Sequence, residues 1–175
     1  MKTRISEIYA VLQQDLGHHL VENYTVGNFC AGIQISRSTF YRSYSSMTEL
    51  YQFVISYQVE RILSNTRETK LDVRYRQLIQ LMSSERHLYI NFYHQTKRLF
   101  FNDVLEPLVQ RNLKSFYRET ELTEVSLNLI ADYVVRQIIR YIDQDLQQPV
   151  AEVALDIYRI LAVAENTAQL LAPPK

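Results

Sequence analysis

The sequence predicts an all-α fold: an N-terminal three-helix helix-turn-helix unit plus a C-terminal helical bundle, about nine helices in total. Three observations lead there. The 175 residues include only 3 Gly and 4 Pro, too few for a turn-rich β-fold. Apolar residues recur at spacings of three and four along almost the whole chain. Hydroxyl residues stand where helices would begin, at Thr25, Ser36 and Ser46. Hydrophobic content of 47% and charged content of 22% suit an ordinary globular protein.

Ile5, Ile8, Tyr9, Leu12 and Leu16 form one apolar stripe, so residues 3–18 read as an amphipathic helix. Thr25 can cap a second helix reaching to Gly32, with Val26, Phe29 and Cys30 inward. Ser36 can cap a third, with Phe40 and Tyr44 inward. Ile33 and Ile35 pin the short turn between them, and two short helices so joined have helix-turn-helix spacing. Gln34 sits in that turn, which therefore either avoids positive φ or is strained. Gly27 and Gly32 fall inside the second helix, each weakening it by about 1 kcal/mol relative to Ala.

Ser46 followed by Glu49 reads as a capping box, so a fourth helix starts near Met47 and runs past residue 60. Its apolar face carries Leu50, Phe53, Val54 and Tyr57, then Ile62 and Leu63. Leu71, Tyr75, Leu78, Ile79 and Met82 form the next stripe, and Leu88, Tyr89, Phe92 and Tyr93 a short aromatic one. Leu105, Leu108, Val109, Leu113 and Phe116 form another, with Pro107 marking either its start or a kink. Residues 123–145 and 149–171 form the last two helices, Pro149 suiting a first helical position. Both are apolar around too much of their circumference for one core: Leu129, Tyr133, Val135 and Ile139 lie off the main stripe of one, and Leu155, Tyr158 and Ile160 off that of the other. A homodimer through these two helices is the expectation. Residues 1–46 are expected to form the helix-turn-helix domain, and residues 47–175 a regulatory and dimerisation domain.

The stretch ISRSTFYRSY, residues 35–44, mixes two arginines and several hydroxyls with inward-facing aromatics. Arg37, Ser38 and Arg42 project away from the Phe40/Tyr44 stripe, toward solvent or a groove. Arginine reads guanine edges with paired hydrogen bonds and also clamps phosphates. A helix capped by Ser36 turns free N–H groups toward a phosphate. Thr39 offers a hydroxyl and a methyl, and the Tyr41 phenol can donate to a phosphate while its ring packs. The balance of 19 Lys+Arg against 19 Asp+Glu supplies no general basic field, so double-stranded DNA must be met by a local face.

Other classes are disfavoured. No Gly-rich phosphate loop, nucleophile elbow or zinc-protease motif occurs, so the chain is not expected to be an enzyme or to carry a cofactor. His18 and His19 are adjacent and cannot share a helix face, and His87 and His94 lack acidic companions at helical spacing; no metal site is expected. A single cysteine, Cys30, rules out an internal disulfide, and no apolar run is long enough for a signal peptide core or a membrane span. A cytoplasmic protein without membrane contact is the expectation.

Residues 24–51, YTVGNFCAGIQISRSTFYRSYSSMTELY, resemble the TetR/AcrR family of transcriptional regulators. Thr25, Val26, Cys30, Ile35, Ser36, Arg37, Ser38, Thr39, Phe40, Tyr41, Arg42, Tyr44, Ser46, Glu49 and Leu50 fall in step with its pattern. The form ISRSTFYR looks like a subgroup of low-GC Gram-positive bacteria that includes dihydroxyacetone kinase regulators. The resemblance implies that Tyr41 touches the DNA backbone, that Arg37, Ser38 and Arg42 contribute to base reading, and that Thr25 holds a second phosphate. It implies a homodimer on a palindromic operator, usually a repressor. It also implies an effector pocket in the middle helices, where Tyr75, Tyr89, Phe92 and Tyr93, with Phe100 and Phe101, supply aromatics with polar tips for a small organic ligand. The chain departs from the pattern at Gln34, where Gly is usual, at Ser43, often His, and at Met47, often a phosphate-binding Lys. These departures support an alternative: a protein-interaction module or co-regulator of the same fold, acting on a partner protein with weak or no DNA binding.

Overall fold

The structure is a computed structural model, describing residues 4–65, 70–96 and 98–171. Among them run nine helices and no strand: α1 Arg4–Leu16, α2 Val26–Ile33, α3 Arg37–Tyr41, α4 Met47–Leu63, α5 Leu71–Ser84, α6 Arg86–Thr96, α7 Arg98–Phe116, α8 Glu124–Asp143 and α9 Val150–Leu171. The all-α expectation stands, and so does the helix count. The side chains of Phe100 and Phe101 lie outside the described set, as do Lys2 and the side chain of Arg4.

The helices begin where the side chains can hold the first free N–H groups. Thr25, Ser36, Ser46 and Thr123 each accept from the backbone N–H three residues on. The box expected at Ser46 is shifted by one: the Glu49 carboxylate accepts from the Ser45 N–H at 2.6 Å and the Ser45 hydroxyl at 2.7 Å, not from Ser46. Those two donors hold the Glu49 carboxyl below its ordinary range. Pro107 lies within α7 and does not start it; the helix begins nine residues earlier, at Arg98.

α1, α2 and α3 pack together as the small N-terminal unit, and α4 passes from it into a bundle with α5, α6 and α7. α8 packs along α7, and α9 covers α5 and α8. The apolar stripe of α4 is turned from the expected one. Leu50, Tyr51, Val54, Ile55, Val59 and Leu63 are buried, while Phe53 and Tyr57 are exposed, because α4 is enclosed by α5, α6 and α7 on that side only.

α6 joins the two parts. It is buried along Leu88 to Tyr93, so the aromatic stripe seen in the sequence is only one part of its buried surface. Asn91, at 1% exposure, donates to the carbonyls of Leu16 and His19 at 2.8 Å each and accepts from the N–H of Val21 at 2.8 Å. Gln95 accepts from the Tyr24 N–H and donates to the Val21 carbonyl, each at 3.3 Å. The loop between α1 and α2 is thereby fixed to the bundle by side-chain amides that replace water. Asn91→Ala would strip partners from three backbone groups, one at the end of α1 and two in the loop that follows. A destabilisation of about 3 kcal/mol is expected, since each orphaned buried group costs roughly 1–3 kcal/mol. A thermal melt should show Tm lower by about 10 °C; an unchanged Tm would mean that the amide does not hold this loop.

Candidate nucleic-acid interface

The geometry of α3 is built on Phe40. This ring is buried in the small N-terminal core, edge-on to Phe29 at 5.9 Å and to Tyr41 at 5.3 Å, with Tyr44 at 5.7 Å. Tyr44 in turn meets Phe53 of α4 at 5.8 Å. The aromatic row anchors α3 from within. The opposite side of the short helix is therefore free. Arg37, Ser38, Tyr41 and Arg42 are all exposed, and Tyr41 keeps 57% of its surface. Arg37 with Tyr41 and Ser38 with Arg42 are four residues apart, so the four side chains make one contiguous patch.

The hydroxyls are already ordered. Ser36 Oγ accepts from the Thr39 N–H at 3.1 Å and lies 2.9 Å from the Thr39 hydroxyl. Arg42 donates to Thr39 Oγ1 at 3.3 Å, which draws its guanidinium along the helix face. Thr25 and Asn28 close a capping box at the start of α2, with the Asn28 N–H donating to Thr25 Oγ1 at 3.2 Å and the Thr25 N–H to Asn28 Oδ1 at 3.0 Å. Thr25 is exposed beside it.

The glycines of α2 have packing reasons that their helix propensity does not reveal. A Cβ on Gly27 would lie 2.8 Å from Nη2 of Arg37, so the guanidinium rests against the backbone of α2. A Cβ on Gly32 would lie 2.8 Å from Val11 Cγ1 of α1. Both let neighbouring elements approach the helix closely.

Gln34 resolves the question left by the sequence: the turn is left-handed, φ 57° and ψ 45°, so it is strained. The Ile35 N–H reaches the Cys30 carbonyl at 3.0 Å and closes the end of α2. A non-glycine residue in this conformation costs roughly 1–2 kcal/mol, more than the entropy Gly would lose on folding. Gln34→Gly should therefore stabilise the protein by about 0.5–1 kcal/mol and raise Tm by about 2–3 °C in a thermal melt. A lower Tm would show that the Gln34 side chain makes a compensating interaction. Met47, where the resemblance leads one to look for a cation, is half-buried and packs on the core. Burial pushes the Cys30 thiol up, which suits a small inward side chain.

The residues read as an effector pocket lie elsewhere in character. Tyr75, Tyr89, Phe92 and Tyr93 are all buried, and Phe92 stacks within 4.9 Å of Tyr51 and 6.1 Å of Tyr89. Tyr75 donates to Asn112 at 3.2 Å, and Tyr93 to Asp143. These are packed core rings. A 550 Å³ cavity lies where α4, α5 and α7 meet, lined by Glu60, Arg74, Arg111, Asn112 and Phe116 among others. Tyr75 does not line it, but its hydrogen-bond partner Asn112 does. Nothing in the periodicity marked Arg74 or Asn112: each sits on a helix flank and gains its place from tertiary packing.

The whole arrangement matches a solved structure. The chain superposes on the dihydroxyacetone kinase operon activator DhaS over 99% of its own length and 100% of that chain, with a TM-score of 0.63 and 11% identical residues. The two chains share a fold. At that identity the likeness to DhaS is one of fold. No protein-family model matches the sequence, and no curated protein does. The DhaS likeness spans both the small N-terminal unit and the bundle, whereas the strong sequence resemblance covers residues 24–51.

Proposed function

We propose that the chain is a DNA-binding transcriptional regulator that meets a palindromic operator as a homodimer. The observation that carries this reading is the exposed patch of Arg37, Ser38, Tyr41 and Arg42 on a short helix whose other side is anchored by Phe40. Such a helix enters a major groove with its arginines at base edges and its phenol at a phosphate. Thr25, exposed at the start of α2, and Ser36 and Thr39 beside the patch complete the interactions with the DNA backbone. The dimer is supported by apolar side chains left outside on the last two helices: Val125, Leu129 and Tyr133 on α8, and Leu155, Tyr158 and Val163 on α9. Two-fold symmetry then sets two recognition helices in successive grooves, which asks for a palindrome. A small-molecule effector would act by shifting the population between separations of those helices.

The sense of regulation is drawn from likeness. The family pattern implies repression, and DhaS is named an activator. The second reading, a co-regulator that acts through a partner protein, is favoured by one specific observation: Met47 is packed on the core where a phosphate-binding cation is usual, leaving Arg37 and Arg42 as the described cations of residues 24–51.

Selection of bound duplexes from a random pool at near-physiological salt tests the proposal. An enriched palindrome, bound with an affinity that falls steeply with salt, is the expected result. A reporter carrying that palindrome should then fall on expression of a repressor and rise with an activator. No enrichment from a folded dimer would move the assignment to the co-regulator reading, which predicts co-purification of a partner instead.

A further inference from the structure

A pocket of 310 Å³ lies within the N-terminal unit, where α1, α2, α3 and the first half of α4 meet. Its walls are Ile5 and Ile8 of α1, Ile33 at the end of α2, Ile35 of the turn, and the row of rings from Phe29 to Phe53. The lining side chains that are buried are all apolar. Its polar members stand at the mouth: Glu7, Gln34 and Ser43 are exposed, and Thr39 is half-buried. Isoleucine is stiff at χ1, so these walls are shaped before anything enters.

The lining narrows the class of occupant. No lysine, arginine or histidine borders the pocket, so an anion would give up its water and meet only the Glu7 carboxylate. A cation could pair with that carboxylate only at the exposed mouth, away from the apolar walls. An uncharged apolar molecule gains from every wall. A dry cavity of about 150 Å³ lined by leucine, isoleucine and phenylalanine takes up benzene. A pocket about twice as large suits two fused rings. The row of rings favours an aromatic occupant over a saturated one. Phe29 meets Phe40 at 5.9 Å, Phe40 meets Tyr44 at 5.7 Å, and Tyr44 meets Phe53 at 5.8 Å. The row ends at Phe53, which is 38% exposed and meets no further ring among the described residues. A flat ring in the pocket would continue the row with edge or offset contacts.

We propose that this pocket binds a small uncharged aromatic molecule of one or two fused rings, held by the isoleucines and by the rings of Phe40, Tyr44 and Phe53. Such a ligand would lie against the inner side of α3, whose outer side carries Arg37, Ser38, Tyr41 and Arg42. Its binding stands apart from the DNA reading; only the consequence for an operator rests on that reading.

Indole and 2-naphthol serve as probes on the full chain without DNA, with cyclohexanol and decanoate as saturated and anionic comparisons. The chain contains no tryptophan, so the emission of either probe is read without interference from that residue. Saturable binding of an aromatic probe is expected in fluorescence and calorimetry, with a Tm that rises as the probe saturates. Phe53→Ala, at an exposed position, should weaken the affinity about two- to tenfold with the circular dichroism unchanged. Ile33→Phe, which fills the pocket from a half-buried position, should abolish binding in a protein that still melts cooperatively. The proposal is overturned if neither aromatic probe binds saturably, if cyclohexanol or decanoate binds more tightly, or if both variants keep full affinity. Self-association beyond a dimer that Phe53→Ala abolishes would assign the mouth of the pocket to a second copy and overturn it too. Operator selection is a separate measurement, so either proposal can fail alone.

Discussion

Replacing Arg37 and Arg42 together by Ala should reduce operator affinity by roughly 30-fold to 10⁴-fold, since an arginine on a base edge is worth about 1–3 kcal/mol. The fold should be kept. Both side chains are exposed, and the core of their helix is Phe40, which neither touches in the aromatic row. The salt slope of binding should also become shallower, by about one for each phosphate that an arginine no longer reaches. Titration of a labelled operator at several salt concentrations, beside a thermal melt, reads both. A variant that unfolds would show that the arginines are structural; a folded variant with full affinity would show that α3 is not the DNA-reading element. Gly27→Ala offers an independent check. Its methyl group would meet the Arg37 guanidinium 2.8 Å away, so it should lower operator affinity by moving Arg37 while leaving the charge in place.

The second large effect concerns assembly. Tyr133→Glu combined with Leu155→Glu should convert a dimer into a monomer of 20.7 kDa, as read by light scattering or sedimentation. Tyr133 is 37% exposed and Leu155 46% exposed in the single chain, so neither change strains the monomer core. In a dimer both would be buried, and carboxylates without partners at an apolar interface cost several kcal/mol. A stable interface buries about 1,200–2,000 Å² in total, which the outer faces of two long helices can supply. Operator affinity should fall in parallel, since each monomer reads only a half-site. A wild-type chain that sediments as a monomer, or a double variant that stays dimeric, would remove α8 and α9 as the interface.

The sequence was most legible where the physics is local. Thr25 and Ser36 cap because their hydroxyls reach an N–H three residues away, and that relation needs no tertiary partner. The same is true of helix existence: a stripe such as Leu71, Tyr75, Leu78 and Met82 can bury itself only as a helix. The patch on α3 was legible because Phe40 determines which way Arg37, Ser38, Tyr41 and Arg42 must point. Legibility failed where a residue has two neighbours to choose between. Phe53 and Tyr57 belong to a stripe that reads as inward, yet α4 turns Tyr51, Ile55 and Gln58 to the bundle instead. Periodicity states that a helix has a buried side, not which partner lies against it. Val135 and Ile139 of α8 fell off the main stripe and are nonetheless buried in the single chain, while Leu129 and Tyr133 are not.

By itself, then, the sequence determined the all-helical class, the capped starts of α2, α3 and α4 and the outward patch of α3, all of which follow from interactions within four residues. Tertiary structure alone decided the left-handed Gln34, the seat of the Arg37 guanidinium against Gly27, and the Asn91 tie from α6 to the α1–α2 loop. Each of these depends on side chains meeting from elements far apart in the chain, or, for Gln34, on the docking of α3 against α2. Spacing along one helix carries no record of such meetings, because the distance that matters is the one between helices.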